Sequence, residues 1–205
     1  MRLGFSCLPV LALLAGLNAP ATAQTDHRDS LPVWQIDPSH SDISFRIRHF
    51  VSRVRGTFNE WSGTIVGDPG NWTHGSVNVT IQAASIDTRQ DRRDADLKSD
   101  NFFDVAKYPT ITFKSTGVTV KGDSIRISGE LSMHGVSKPV VLEGSYLGLE
   151  PGNRPRIGFE ARTTINRLDY GVTWNRVVEG GGVMLGDDVE IEIAIEAYRP
   201  NPVSP

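Results

Sequence analysis

Ser124-Ile125-Arg126-Ile127-Ser128-Gly129-Glu130-Leu131-Ser132-Met133-His134-Gly135-Val136-Ser137-Lys138-Pro139-Val140-Val141-Leu142-Glu143-Gly144-Ser145-Tyr146-Leu147-Gly148-Leu149 decides the architecture of this chain. Its first half sets Ile125, Ile127, Gly129, Leu131 and Met133 against Ser124, Arg126, Ser128, Glu130 and Ser132. That period of two puts one face in a core and the other in water, so the segment is a strand. His134 to Pro139 then supplies a glycine free to take positive φ and a proline that donates no ladder hydrogen bond. A turn over these residues and a returning strand are predicted. One long hairpin is marginal in water, so the rest of the chain must close around its apolar face.

Moving outward, the same pattern recurs. Val33 to Asp37 predicts a strand and Pro38 to Ser41 a turn, and Ile43, Phe45 and Ile47 alternate with Ser44, Arg46 and Arg48 in a second strand. Between Val54 and Val66 the glycines obscure the register and predict a bulge or sharp bend. Val77, Val79 and Ile81 alternate again, as do Ile157, Phe159 and Ala161, and the last strand sets Val189, Ile191, Ile193 and Ile195 against Glu190, Glu192 and Glu196. Arg89 to Lys98 lacks this period; Thr88 with Asp91 resembles a capping box, which predicts a short helix there. Asn101-Phe102-Phe103 should anchor the following loop by its rings. About eight strands with one helical interruption amount to an all-β antiparallel barrel, and closure removes edges. Gly56, Gly63, Gly129, Gly144 and Gly148, on or beside the inward pattern, favour a curved wall over a flat sandwich.

The 205 residues fit a single barrel domain over 33–199, and a net charge of −3 with interspersed signs speaks against a nucleic-acid partner. Residues 1–23 carry an early arginine, a short apolar run and Ala21-Thr22-Ala23, the pattern of a cleavable secretory signal whose apolar run is too short to span a bilayer. Cys7, the only cysteine, lies inside it. A mature, exported domain without disulfides must be held by its core. Residues 24–32 are expected to be a flexible lead-in and 200–205 a tail, and no later run is long enough for stable membrane insertion.

For chemistry, His40, His49 and His134 are the histidines to weigh, but none has a zinc-ligand spacing or a nucleophile partner. Polar partners at strand ends are the expectation, with no metal and no cofactor. There is no G-x-S-x-G elbow, P-loop or G-x-G-x-x-G, and Glu179-Gly180-Gly181-Gly182-Val183 predicts a mobile loop. Arg89, Arg92 and Arg93 form a candidate headgroup site against the simpler expectation of a solvated, ion-paired helix.

Several blocks carry a family resemblance: Trp34-Gln35-Ile36-Asp37-Pro38-Ser39-His40-Ser41, Gly56-Thr57-Phe58, Asn101-Phe102-Phe103-Asp104, Tyr108-Pro109-Thr110, Gly129 to Val140, and Gly186-Asp187-Asp188-Val189. In that order, from Trp34 to Tyr198, the chain resembles the YceI-like family of bacterial periplasmic proteins. The resemblance implies an extended lipocalin-like barrel, not an enzyme, that holds a polyisoprenoid, an isoprenoid quinone or a fatty-chain amphiphile in its interior. Together with the alternation it assigns Ile47, Phe58, Ile81, Phe113, Leu131, Met133 and Phe159 to the ligand-binding wall. Periplasmic location is expected, and a homodimer is compatible with it. The alternative is a metal-binding or enzymatic barrel using His40, His49 or His134 at its mouth.

Overall fold

The computed structural model describes residues 31–179 and 183–200. The strands are β1 (Val33–Ile36), β2 (Asp42–His49), β3 (Ser52–Phe58), β4 (Trp61–Asp68), β5 (Asn71–Gln82), β6 (Ile86–Asp87), β7 (Thr110–Lys121), β8 (Ser124–Met133), β9 (Val136–Glu150), β10 (Arg156–Asn166) and β11 (Leu185–Tyr198), with one helix, α1 (Asp91–Lys98). They make one sheet in the order β1-β4-β5-β7-β8-β9-β10-β11-β2-β3-β6, closed by a second β1–β11 pairing. Three pairs of consecutive strands are bent halves of single staves: β1 with β2, β3 with β4, and β5 with the two-residue β6. The result is an eight-stave antiparallel lipocalin-like barrel.

The breaks in the three bent staves lie side by side. Residues 37–41, 59–60 and 83–85 fall at one level, since Gln35 pairs with Thr64 and Ser44 with Thr57 on one flank. On the other, Trp61 pairs with Ile81 and Phe58 with Ile86. Below this crease eight strands close a hydrogen-bonded hoop. Above it β11, β2 and β3 continue as sheet, whereas β7 starts at the crease, with Thr110 against Gln82. The wall left open between β3 and β7 is filled by α1 and the 99–108 loop, with Phe102 buried and Phe103 set edge-on to Phe58 at 6.1 Å.

Register errors in the alternation have local causes. Phe113 and Val118 share the inner face despite odd and even numbering because a bulge lies between Ser115 and Gly117. Two glycines make room for rings: a Cβ on Gly56 would lie 2.5 Å from the Phe45 ring, and one on Gly129 would lie 2.4 Å from the Phe113 ring.

The central hairpin is tighter than its sequence suggests. The turn is His134-Gly135 alone, both at positive φ, and β9 begins at Val136, so Pro139 sits inside a strand opposite Glu130. Its missing N–H costs nothing because the β9–β10 ladder ends at Glu143–Arg162, leaving that flank of β9 unpaired. The helix is where expected, but Gln90, not Thr88, caps it, its side chain accepting from Arg93 N at 2.7 Å. Thr88 is instead buried, its hydroxyl donating to Asp94 and accepting from Arg93 Nε. The secretory signal, residues 24–30, the glycines 180–182 and residues 201–205 lie outside the described residues. No described helix is long and apolar enough to cross a membrane.

Candidate functional site

The barrel is hollow. It encloses a cavity of about 330 Å³, lined by the inward residues of nearly every stave. Along β10, Phe159, Ala161, Thr163 and Ile165 all face it. Six residues of strand rise about 20 Å, so the space is elongated. Ile47, Phe58, Ile81, Phe113, Leu131, Met133 and Phe159 all belong to this lining. β2 and β11 supply Ile43, Phe45, Val189, Ile191, Ile193 and Ile195, so the apolar coat is continuous.

The ionisable side chains of the lining, His49, Arg93, Asp96 and Arg167, are gathered above the crease, which makes that end the polar one. Arg167 is 3% exposed, and each of its three guanidinium nitrogens donates a hydrogen bond. Its Nε donates to Gly186 O at 2.8 Å, Nη1 to Val172 O at 2.6 Å and Trp174 O at 2.9 Å, and Nη2 to Asp187 Oδ1 at 3.3 Å. Burial pushes its guanidinium pKa below the ordinary value, while Asp187 opposes that shift. It pins the segment after β10 across this end, where Val172, Leu185 and Phe102 form a small core. Nothing local in the sequence marks this arginine, because its acceptors are carbonyls of other turns. Arg93 also lines the cavity, but its Nε and Nη2 are spent on Thr88 Oγ1 and Thr88 O at 2.6 and 2.7 Å. Arg89 and Arg92 are exposed and outside the lining, so of the three arginines Arg93 is the one that reaches the cavity.

The opposite end is closed by aromatic rings. Trp72 lies 5.3 Å from Tyr146 and 5.0 Å from Phe159, both edge-on, and Tyr146 lies 5.2 Å from Phe159. Trp72 and Phe159 belong to the lining. Trp72 is 5% exposed, and neither its Nε1 nor the Tyr146 hydroxyl has a hydrogen-bond partner. Leaving such a buried group unpaired costs about 1–3 kcal/mol. Burial, with Asp68 nearby, raises the Tyr146 pKa above its ordinary value. As aromatic residues, these two read in sequence only as core.

The three histidines stay apart. His134 follows β8 with Nδ1 3.0 Å from Tyr170 O and its ring edge-on to Tyr108, and His49 ends β2. His40 lies on the wall between β1 and β2, Nδ1 3.1 Å from Asp37 Oδ2 and 3.9 Å from Glu196 Oε1. Asp37, His40 and Glu196 each bring a ligand-type atom within 4.8 Å of the others. The guanidinium of Arg156, 3.4 Å from Asp37 Oδ2 and paired with Glu196, already balances both carboxylates, which makes the cluster an ion-pair network. Hydrogen bonds from the Ser39 hydroxyl and from His40 hold the Asp37 carboxyl well below the usual carboxylate range.

A closed eight-stave barrel around an elongated apolar cavity is the lipocalin-like class of binding fold. The YceI-like domain matches residues 34–197, and the chain belongs to the YceI-like family. A UPF0312 protein of Pectobacterium atrosepticum is 39% identical over 166 residues, which cover 78% of this chain and 82% of that protein. Among solved structures, a YCEI protein of Campylobacter jejuni has 31% identity and a TM-score of 0.67, covering 76% of this chain and 91% of that one. A polyisoprenoid binding domain from Saccharophagus degradans has 18% identity and a TM-score of 0.62, covering 83% and 99%.

Proposed function

We propose that the protein is a non-catalytic carrier that holds a long-chain lipophile, a polyisoprenoid, an isoprenoid quinone or a fatty-chain amphiphile, inside its barrel in the periplasm. The observation that carries this is the cavity of about 330 Å³ with its continuous aliphatic and aromatic coat. Such a coat has no specific chemistry to offer a reaction; it takes apolar surface out of water, at about 0.8 kcal/mol per CH₂. The seven residues from Ile47 to Phe159 contact the tail in this reading. The Saccharophagus degradans domain shares the barrel and is called polyisoprenoid binding, which agrees with the cavity's chemistry, although that likeness bears on the fold alone. Export follows from the Ala21-Thr22-Ala23 pattern.

The test is mass spectrometry of organic extracts of the protein purified from its own cells. A long-chain lipophile near one per barrel is expected. Empty extracts, together with no binding of added quinone or alkyl amphiphile, would refute the carrier reading.

A further inference from the structure

One hairpin tip of the barrel breaks the rule that its neighbours follow. The β4–β5, β7–β8 and β8–β9 turns use Gly70, Gly122-Asp123 and Gly135, residues that accept turn backbone without strain and add no large apolar surface. The β2–β3 turn is Phe50-Val51 instead, with Phe50 at φ 53°, left-handed backbone that a bulky side chain rarely adopts. Phe50 is 51% exposed and Val51 87%. A second tip lies beside it: Phe50 N donates to Met184 O at 2.6 Å and Met184 N to Arg176 O at 2.9 Å, and one rung farther out Val177 bridges to Val183. Val177 is 76% exposed and Val183 38%. Four apolar side chains thus share one projecting ledge, where both backbone strain and exposed apolar surface oppose stability. Such a local breach of turn chemistry points to a use.

The ledge stands at the rim of the cavity. His49, the residue before Phe50, is exposed and lines the cavity, and it pairs with Leu185, which lines it too. Arg48 and Arg176 flank the ledge; both are exposed, and among the described residues neither guanidinium has a carboxylate within 4 Å. Arg53, opposite Arg48, pairs with Glu190, and Asp187, farther along β11, is held by Arg167. Glu179 is the described acid on the second tip. We propose that this ledge is a membrane-docking surface: Phe50, Val51, Val177 and Val183 enter the interfacial layer of an anionic phospholipid bilayer, and Arg48 and Arg176 meet its phosphates. Apolar side chains in front with cations one rung behind match the order in which a bilayer presents acyl chains and phosphates. Two copies meeting tip to tip would instead bring like charges together. The surface goes beyond the carrier reading and stands without it; in a carrier it sets the mouth of the barrel against the lipid, so that a lipophile passes between bilayer and cavity without crossing water.

The experiment floats the exported protein with vesicles of phosphatidylethanolamine and phosphatidylglycerol, and separately with vesicles of phosphatidylcholine. Wild-type protein should bind the anionic vesicles. Phe50→Gly combined with Val51→Ser should weaken that partition at least about tenfold, because the apolar surface that left water is gone. Glycine suits the positive φ at 50, so the Tm should hold and the loss cannot be assigned to unfolding. Val177→Ser tests the second tip independently and should weaken binding roughly fivefold. Arg48→Gln with Arg176→Gln should weaken binding to the anionic vesicles at least about tenfold and leave phosphatidylcholine binding within about twofold. Leu147→Ser, at an exposed apolar residue beside Tyr146 at the closed end, should change neither by more than about twofold. No vesicle binding by wild type would overturn the proposal, as would an equal loss in Leu147→Ser or unchanged binding in the arginine pair. A dimer in sedimentation equilibrium that Phe50→Gly with Val51→Ser dissolves, in place of vesicle binding, would assign the ledge to a second copy and overturn it too. Vesicle binding by a protein whose organic extracts are empty and that takes up no added lipophile would support the ledge and remove the carrier reading alone.

Discussion

Leu131 and Glu130 are neighbours on β8 with opposite surroundings, and exchanging each for arginine separates the inside of the barrel from the outside. Leu131 lines the cavity opposite Phe113 on β7, whereas Glu130 is exposed between Lys114 and Pro139. The carboxylate that shares the cavity is Asp96, at the far polar end, so an arginine at 131 has no partner within the apolar coat. A ten-carbon chain returns a net of about 3 kcal/mol at roughly 0.3 kcal/mol per heavy atom, or about two decades in Kd. An unpaired charge in its path costs at least as much, so Leu131→Arg should weaken a decyl-chain ligand more than about a hundredfold. Glu130→Arg, a surface change worth within about 0.5 kcal/mol, should shift it no more than about twofold. Isothermal titration calorimetry reads both, and circular dichroism melts establish that each variant is folded. Equal effects in folded protein would show that the alternation on β8 does not separate ligand from solvent.

Arg167→Met leaves three backbone carbonyls without their donor and should lower stability by about 3–5 kcal/mol, a drop of roughly 6–20 °C in Tm; a change under 2 °C by calorimetry would contradict the structural weight given to its four hydrogen bonds. Asp37, with its depressed pKa, stabilises the fold above the ordinary carboxylate pKa near 4, and that contribution is lost as pH falls toward its lower folded value. Asp37→Asn should therefore cost stability at pH 6 and progressively less toward pH 2; a constant difference across pH in urea melts would rule this out. A His40→Ala, His49→Ala, His134→Ala triple variant should lose some stability and keep its ligand. Stoichiometric metal in wild type that vanishes from the triple variant would favour the metal reading. Exported protein should begin at Gln24, and N-terminal sequencing that finds Met1 would remove the periplasmic assignment.

The wall was legible because alternation is a local property. Ile125 to Met133 and Val189 to Ile195 each declare their inner face within ten residues, and burial only had to confirm which side was the interior. Bulges broke that record where the backbone, not the side chains, sets the phase, as between Ser115 and Gly117. Pro139 misled because the cost of a proline in a strand depends on a neighbour 20 or more residues away, and here that flank is unpaired. Thr88 misled in the same way: its cap partner by spacing is Asp91, but Arg93 and Asp94 take its hydroxyl. The polar features were least legible. Arg156 meets Asp37 119 residues away, Arg167 is satisfied by scattered carbonyls, and the bare N–H of Trp72 is defined by what surrounds it.

The crease at residues 37–41, 59–60 and 83–85 divides the molecule into a cup and a collar. The cup is held by a closed ring of backbone ladders, interrupted by bulges between Val66 and Asp68, between Ser115 and Gly117 and between Gly158 and Phe159, so its amides should exchange far more slowly than those of the collar. The collar is completed by side chains: rings at Phe102 and Phe103, the Thr88–Arg93 contacts, and the guanidinium of Arg167. Side-chain closure can part and re-form without breaking a ladder. In the proposed carrier this would separate two mechanical requirements, placing stiffness where the chain is held and compliance where it must pass.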